Sequence, residues 1–378
     1  MNSRTIEFDQ RGLIPLPTTL SDTAGIPLKV LDVKLLELAH CYFQAKFDWS
    51  RSPCTGLPHS PDYELGLTGD VDFRMLGDGI GADPEFKRNT SNELGKVFAI
   101  WLMTKHYGYR YFCPYGLAQR LTASESEKWT PREKGNLPDY VAGLDKNSPT
   151  ILEAKGSYES IAFDNADFKQ WREQARRAKL IDQAGAEIEV PRFVIATRWG
   201  IANRPRINTK LLAEQLPEAS TPLKPAPHSG ASMIRGHYAV IFDHLLLFEA
   251  SSQLLSGTPI IRPQTLVNAS TYECTSGPLR GRTFVGPAYV SMSDFYAATL
   301  GINWGPRSSA RDGGMFYGID ATRFLEIARA SRSVDRPGSW EFEPVQIPRN
   351  LDGLSLFGDG TVLGDLSHFR PSAQLAWE

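Results

Sequence analysis

Three stretches of the chain carry apolar residues at helical spacing. Between positions 94 and 102 they recur at i, i+3, i+4, i+7 and i+8, which places them on one helix face. These residues are Leu94, Val97, Phe98, Trp101 and Leu102. Residues 31–47 have a broader apolar side, and residues 166–181 have an inner side formed by Phe168, Trp171, Ala175 and Ala178. We therefore predict helices at these three places.

Short β-prone segments lie between and after these helices. Residues 109–113 are rich in aromatic residues, and residues 192–197 form a compact apolar run. Residues 137–156 predict two strands joined by a turn, because residues 145–149 read Asp-Lys-Asn-Ser-Pro and are mostly turn formers. Residues 88–200 thus predict the order helix, three strands, helix and strand.

The segments around this core have weaker patterns. Residues 1–28 contain several prolines and small polar residues, which predicts an extended or loosely ordered arm. Residues 48–89 are crowded with Gly, Pro and Asp, and a loop of this length is often functional. It either covers the substrate as a flap or wraps the core. Residues 121–136 are polar and predict an exposed insert.

The carboxy-terminal part predicts an additional α+β region. Residues 217–230 are rich in Pro, Ser and Ala and predict a linker or long surface loop. Further predicted elements are strands at residues 238–242, 245–248 and 283–285 and a helix at residues 321–330. A chain of 378 residues favours two domains or one elaborated core. We divide it into an amino-terminal part (1–87), a core (88–205) and an accessory region without an assigned role (206–378).

The composition, together with the lack of a membrane-spanning run and of a signal peptide, predicts a cytoplasmic protein without a membrane partner. No apolar run approaches the ~20 residues that a membrane-spanning helix needs. Residues 1–9 also lack the apolar core of a signal peptide. The cysteines are scattered without zinc-binding spacing and fit free thiols in a reducing compartment: Cys41, Cys54, Cys113 and Cys274.

Charge is unevenly distributed along the chain. The net charge is -2, from 41 basic and 43 acidic residues. Between residues 165 and 210, however, ten basic residues stand against five acids, a net charge of +5. Such a patch could neutralise phosphates and make binding sensitive to salt. The alternative is an ordinary solvated helix face.

The candidate chemistry lies in the hairpin at residues 137–156. Folding it symmetrically about Lys146 places Asp139 opposite Glu153, each seven positions from the centre. Their Cβ atoms would then be roughly 5 Å apart. Two facing carboxylates repel each other, but a divalent cation such as Mg²⁺ would bind both. Alternation along the strand puts Lys155 on the face of Glu153, and this set suits metal-assisted hydrolysis of phosphodiesters.

These residues also carry a resemblance to a known family. Pro138-Asp139 followed by Glu153-Ala154-Lys155 resembles the signature of the PD-(D/E)XK superfamily of restriction-endonuclease-like nucleases. The resemblance covers residues 88–200 and implies an αβββαβ core with a mixed central sheet flanked by helices. The expected fold is therefore α/β, with this core, an N-terminal helical arm and the C-terminal α+β region.

The resemblance implies roles for the residues of the motif. Asp139 and Glu153 would bind one or two Mg²⁺ ions, for which Mn²⁺ would substitute, and the Ala154 backbone carbonyl would add a ligand. Lys155 would orient the attacking water or stabilise developing charge. The other interpretation of Lys155 is an ordinary ion pair with Glu153.

The two predicted helices supply further candidates. Family members often take another acid from the first helix, here Glu93 as a metal or catalytic residue, although Thr90 and Glu93 also fit a capping box. Some branches carry a glutamine and, four residues on, a tyrosine in the second helix; Gln174 matches and Ala178 departs. The candidates for contact with substrate are Gln174, Lys169, Arg172, Ser157 and Tyr158, for which surface placement is the alternative.

Three functions stay open at this point. The resemblance implies a Mg²⁺-dependent nuclease that acts on DNA, either alone, as a homodimer or with a partner protein. The alternative is a non-cleaving nucleic-acid- or protein-binding module on the same fold. The complete set of two acids and a lysine argues against this alternative. The third is an unrelated α/β enzyme. The sequence has no Walker-type glycine loop or dinucleotide fingerprint, which argues against an ATP-driven motor.

Overall fold

The computed structural model describes residues 3–45, 67–80, 83–123, 125–217, 227–258, 270–289, 315–332, 340–351 and 353–372. Within these ranges the chain forms two compact units, one up to Tyr238 and one from Ala239 onward. Both contain helices and sheets, so this is a mixed α/β protein, with seven α-helices in the described ranges. None of the helices described there is long and apolar enough to cross a membrane.

Twelve strands and four complete helices are described in the first unit. The strands are β1 (Ser3–Arg11), β2 (Val30–Lys34), β3 (Arg74–Met75), β4 (Tyr111–Pro114), β5 (Lys128–Pro131), β6 (Tyr140–Gly143), β7 (Pro149–Ser157), β8 (Ala178–Ile181), β9 (Glu187–Ile188), β10 (Arg192–Arg198), β11 (Gly200–Ile201) and β12 (Lys210–Gln215). The helices are α1 (Leu35–Ala45), α2 (Pro84–Tyr107), α3 (Tyr115–Leu121) and α4 (Ala166–Arg177), and α5 (Pro227–His244) begins in this unit.

A seven-stranded mixed sheet runs through the first unit in the order β2-β1-β12-β10-β7-β6-β4. Strands β4, β6 and β7 form an antiparallel meander, and β10 lies parallel to β7. A parallel neighbour needs a crossover connection, and α4 lies in that connection. The elements α2, β4, β6, β7, α4 and β10 occur in the predicted order of helix, three strands, helix and strand, with α3 and β5 inserted between β4 and β6 and with β8 and β9 inserted between α4 and β10.

Helix α2 begins and ends at residues whose chemistry explains both boundaries. The Asp83 side chain accepts hydrogen bonds from the backbone N–H groups of Glu85 and Phe86, and Pro84 is the first helical residue. At the other end, Gly108 has φ 72°, the left-handed conformation that glycine favours. Glu93 therefore lies inside the helix, and its interpretation as part of a capping box is wrong.

Two glycines allow α2 to lie directly on β7. A Cβ on Gly95 would be 2.4 Å from the backbone nitrogen of Gly156, and a Cβ on Gly156 would be 1.9 Å from the Ser91 carbonyl oxygen. The buried Ser91 hydroxyl also accepts a hydrogen bond from the Trp199 indole N–H at 2.8 Å. This close contact fixes α2 beside Lys155 and Gly156.

The amino-terminal residues are part of the main sheet: of the arm predicted as extended or loosely ordered over residues 1–28, residues 3–11 are extended and form β1. Strand β1 pairs in parallel with β12 and antiparallel with β2. The helix predicted from residue 31 begins at Leu35, because the residues before it form β2 with alternating exposed and buried positions. The partner strand β12 is about 200 residues away, so no local pattern signals the pairing.

A separate three-stranded sheet, in the order β5-β8-β9, corrects two further predictions. The insert predicted to be exposed at residues 121–136 contains β5, in which Trp129 is 2% exposed. The helix predicted at residues 166–181 ends at Arg177, because the next four residues pair with β5 as β8. Pairing between distant segments overrides local helix propensity here.

The second unit contains an antiparallel sheet in the order β17-β18-β16-β14-β13-β19, with β15 beside β16. Its strands are β13 (Thr271–Cys274), β14 (Thr283–Val285), β15 (Ala288–Tyr289), β16 (Met315–Asp320), β17 (Leu354–Leu356), β18 (Thr361–Asp365) and β19 (Phe369–Pro371). Its complete helices are α6 (Phe248–Ser256) and α7 (Ala321–Ser331). Buried Phe284, Phe316 and Phe369 belong to its core.

Predictions for the carboxy-terminal region are confirmed for β14 and α7 and wrong at two places. Residues 238–242 lie within α5 and not in a strand, and residues 245–248 form a turn that leads into α6. Both are short apolar runs, which periodicity alone cannot assign to helix or strand. Of the linker predicted at residues 217–230, residues 218–226 lie outside the described residues and the last four begin α5.

Candidate active site

The pairing of β6 with β7 has the register that the sequence predicts. Tyr140 pairs with Leu152 and Val141 with Ile151, so the hairpin is symmetric about Lys146. One residue beyond the Tyr140 pair, on either strand, lie Asp139 and Glu153. The hairpin therefore brings both acids to the same level of the sheet.

Asp139 is held by both its backbone and its side chain. Its carbonyl oxygen accepts a hydrogen bond from the Tyr115 N–H at 2.9 Å. Its Oδ2 accepts one from the Ala154 backbone N–H at 3.0 Å. The side chain is 15% exposed, so the carboxylate is oriented by the sheet and still open to a small ligand.

Glu153 is a fully buried carboxylate. Its side chain has 0% exposure, and neither oxygen accepts a hydrogen bond of good geometry from the described residues. Burial, followed by the charge of Asp139, raises the pKa of Glu153 well above its usual value against the opposing effect of Lys155. A buried carboxylate without hydrogen bonds is costly and suits either protonation or a bound cation.

Lys155 links the two acids. Its Nζ forms an ion pair with Glu153 and lies 3.7 Å from Asp139 Oδ2. Burial lowers the pKa of the ammonium, but Asp139 and Glu153 outweigh burial, and the pKa lies above its usual value. Lys155 is therefore charged at neutral pH, with its side chain 20% exposed.

Glu93 reaches this cluster through a lysine that the sequence analysis missed. Lys96 Nζ lies 3.2 Å from Glu93 Oε1 and 3.5 Å from Asp139 Oδ1. The signal available in the sequence was the i, i+3 spacing of Glu93 and Lys96 on one helix flank. The structure thus gathers three acids and two lysines, from α2, β7 and the residue before β6.

Two of the three proposed substrate contacts on α4, Gln174 and Arg172, form hydrogen bonds within the protein. The Gln174 amide donates a hydrogen bond to the Leu137 carbonyl at 2.7 Å, two residues before Asp139. The Arg172 guanidinium donates to both oxygens of Glu214, at 2.6 and 3.2 Å. Lys169 is exposed. Gln174 is therefore placed to position the strand that carries Asp139.

The end of β7 contacts part of the segment predicted as a flap or a wrap around the core. The Ser157 hydroxyl accepts a hydrogen bond from the Glu159 N–H at 3.0 Å. The Tyr158 hydroxyl accepts one from the Ile80 N–H at 3.1 Å. Gly79, with φ 106°, lies so close that a Cβ there would be 2.4 Å from the Tyr158 ring. Residues 48–66 and 81–82 of the same segment lie outside the described residues, as do residues 46–47 of the helix predicted before it.

The donor set at the hairpin fits a hard divalent cation. Mg²⁺ usually takes one or two protein carboxylates and completes its shell with water and phosphate oxygens. Asp139 and the hydrogen-bond-deficient Glu153 supply such a pair, and Ala154, 1% exposed, lies between them and Lys155. In the part of the chain that the structure describes, no three His, Cys, Asp or Glu side chains converge as a ligand group.

No family model, curated protein or solved structure matches this chain. The chemistry of the site therefore depends on its own residues. These are a hydrogen-bonded aspartate, a buried glutamate and two charged lysines within ion-pair distance of them.

Proposed function

We propose that this protein is a Mg²⁺-dependent nuclease that hydrolyses phosphodiester bonds, with DNA as its substrate. One observation carries the proposal: Asp139, which precedes β6, comes together with Glu153 and Lys155 of β7. The two carboxylates repel each other, and Lys155 does not offset this in full, because the pKa of Glu153 stays raised despite the effect of Lys155. A divalent cation bound by both carboxylates would stabilise the pair.

We also propose that the core is restriction-endonuclease-like. The support is the element order from α2 to β10, the antiparallel meander of β4, β6 and β7, and the parallel neighbour β10. Asp139 immediately precedes the second strand of this core, β6, and Glu153 and Lys155 lie in the third, β7.

Asp139 and Glu153 would hold the metal directly together with the Ala154 carbonyl, and Glu93, which does not converge with them as a third carboxylate ligand, would contribute through the water shell. When bound, Mg²⁺ lowers the pKa of a coordinated water and neutralises charge on the reacting phosphate. Lys155 donates to the phosphate or to the attacking water from the face it shares with Glu153. Gln174 holds the backbone at Leu137 and thereby keeps Asp139 in position.

The positive charge available to bind nucleic acid is smaller than the number of basic residues between 165 and 210 indicates. Six of the ten basic residues between 165 and 210 form ion pairs with acids of the protein: Arg172, Arg176, Arg177, Arg192, Arg198 and Lys210. Among the described residues, the other four are Lys169, Lys179, Arg204 and Arg206. The surface therefore suits moderate, salt-sensitive binding of a phosphate backbone.

The test is cleavage by the purified full chain of labelled duplex, single-stranded and branched DNA and of RNA, with Mg²⁺, Mn²⁺ or chelator. We expect metal-dependent cleavage of DNA that Asp139→Ala, Glu153→Ala and Lys155→Ala each abolish, with circular dichroism spectra unchanged. Lys105→Ala is the matched control, because Lys105 lies on α2 and pairs with Glu37 away from the hairpin. Binding without cleavage under every metal condition would instead support the non-cleaving module.

A further inference from the structure

Lys96 lies between two of the acids assigned to the metal. Its Nζ is 3.2 Å from Glu93 Oε1 and 3.5 Å from Asp139 Oδ1. The other oxygen of Asp139, Oδ2, faces the Ala154 N–H and Lys155. A metal ion that binds Asp139 through Oδ1 therefore meets the Lys96 ammonium at that oxygen.

We propose that Lys96 is an exchangeable counterion, which neutralises Asp139 and Glu93 in the metal-free protein and leaves them when a divalent cation binds. This inference rests on the proposed nuclease function, because it concerns the same carboxylates. The additional claim is that Lys96 of α2 competes with the metal for these carboxylates and so lowers the affinity of the site for metal.

The charges in the cluster explain why such a counterion is needed. Glu93, Asp139 and Glu153 are three carboxyl groups in a partly buried cluster, where salt screens repulsion less than it does at the surface. Lys155 lies against Glu153 and Asp139 Oδ2. The Lys96 ammonium lies against Glu93 and the other oxygen of Asp139, Oδ1. Burial lowers the pKa of Lys96, but Asp139 and Glu93 outweigh burial and raise it, so the group stays charged.

The geometry also allows Lys96 to move without the helix. Gly95 packs α2 against the backbone of β7 and fixes the main chain at this position. The Lys96 side chain is 26% exposed, and a flexible four-carbon stem carries its ammonium, so the ammonium can turn into solvent. A cation with two charges at Oδ1 repels the ammonium and drives that movement.

The experiment measures Mn²⁺ binding to the full chain by isothermal titration calorimetry, without nucleic acid. Lys96→Met keeps the length and apolar stem of the side chain and removes its charge. We expect it to bind Mn²⁺ about tenfold more tightly than the original protein. Lys105→Met is the control, since it removes from the same helix an ammonium that lies 2.8 Å from Glu37. Its affinity for Mn²⁺ should be unchanged.

A second variant and measurement test the proposal in case Lys96→Met is less stable than the original protein. Lys96→Gln keeps a hydrogen-bond donor, and the rise in its Tm on adding Mn²⁺ should exceed the rise for the original protein, because tighter binding stabilises the folded state more. Equal or weaker Mn²⁺ affinity in both Lys96 variants would overturn the proposal.

Asp139→Asn separates this inference from the proposed function. If Asp139→Asn removes Mn²⁺ binding while the Lys96 variants match the original protein, only the role of Lys96 is wrong. If Asp139→Asn leaves Mn²⁺ binding unaltered, the metal does not bind at the hairpin, and both proposals are wrong.

Discussion

The Asp139 carboxylate accepts a hydrogen bond from the Ala154 backbone N–H at 3.0 Å. This bond joins the two halves of the motif across neighbouring strands, so the orientation of the acid follows from the strand register. It engages Oδ2 and leaves Oδ1 facing Lys96. The arrangement of the site therefore depends on the fold of the hairpin.

Glu153→Gln should stabilise the metal-free protein and abolish cleavage. Burial and the charge of Asp139 disfavour the charged form of Glu153 by more than Lys155 favours it, and the amide removes the charge at nearly the same volume. We expect the free energy of unfolding to rise by about 1 kcal/mol at pH 7, measured by urea denaturation with chelator present. Glu159→Gln, at an exposed position two residues beyond β7, should change it little.

The effect of Glu153→Gln should depend on pH in a definite direction. Burial raises the pKa of Glu153 in the folded protein, so the folded state keeps a proton that the unfolded chain loses near its usual pKa of about 4.3. The contribution of Glu153 to stability is thus full below about pH 4.3 and is lost as the pH rises through the raised pKa. The stability difference between the two proteins should widen from pH 4 to pH 7; a constant difference would contradict the assigned burial.

Gly95→Ala should destabilise the first unit although alanine is the better helix former. The new Cβ would meet the backbone of Lys155 and Gly156 at 2.4 Å, where no flexible side chain can yield. We expect a loss of about 2–3 kcal/mol in the free energy of unfolding and a loss of activity, since α2 must move away from β7.

Gly116→Ala is the matched control for this change. Gly116 is an exposed residue of α3, and a Cβ there has no neighbour within 4 Å. Helix propensity should then dominate and stabilise the protein by about 0.5–1 kcal/mol. If both substitutions shift the urea midpoint in the same direction, the close contact of α2 with β7 is not a determinant of stability.

Gln174→Ala should lower kcat more than it raises KM. The Gln174 amide holds the Leu137 carbonyl at 2.7 Å, and Asp139 follows two residues later. Loss of this hydrogen bond would disturb the position of Asp139, the proposed metal ligand, so we expect about a tenfold decrease in kcat. Gln170→Ala, exposed on the same helix, should leave both constants unaltered. A change in KM alone would instead indicate direct contact with the substrate.

Binding of duplex DNA in the presence of chelator should weaken with salt, with a slope that depends on the basic residues between 165 and 210 that form no ion pair with another described residue. Each neutralised phosphate contributes about -0.9 to the slope of log K against log salt, so Arg204→Ala with Arg206→Ala should make the slope less negative by about 1.8. Arg176→Ala with Arg177→Ala should change it less, because both arginines pair with glutamates. Fluorescence anisotropy at several salt concentrations measures these slopes, and equal changes in both double variants would refute this division of the basic residues.

Local signals in the sequence were sufficient for the hairpin and for most of the core elements. The turn formers at residues 145–149 and the alternation of the flanking strands determine a register centred on Lys146, which brings Asp139 and Glu153 to one level. The apolar stripe from Leu94 to Leu102 determines a helix in the same way. These features depend on residues close together in sequence, where propensity and periodicity act directly.

The rest of the candidate site was decided by contacts between distant segments. Lys96 reaches Asp139 because Gly95 and Gly156, 61 positions apart, allow α2 to lie on β7. The amino-terminal strand β1 finds its place only by pairing with β12, and β8 leaves the helical pattern to pair with β5. No local pattern encodes such pairings, because their free energy comes from burial and hydrogen bonds that form only when the remote partner is present.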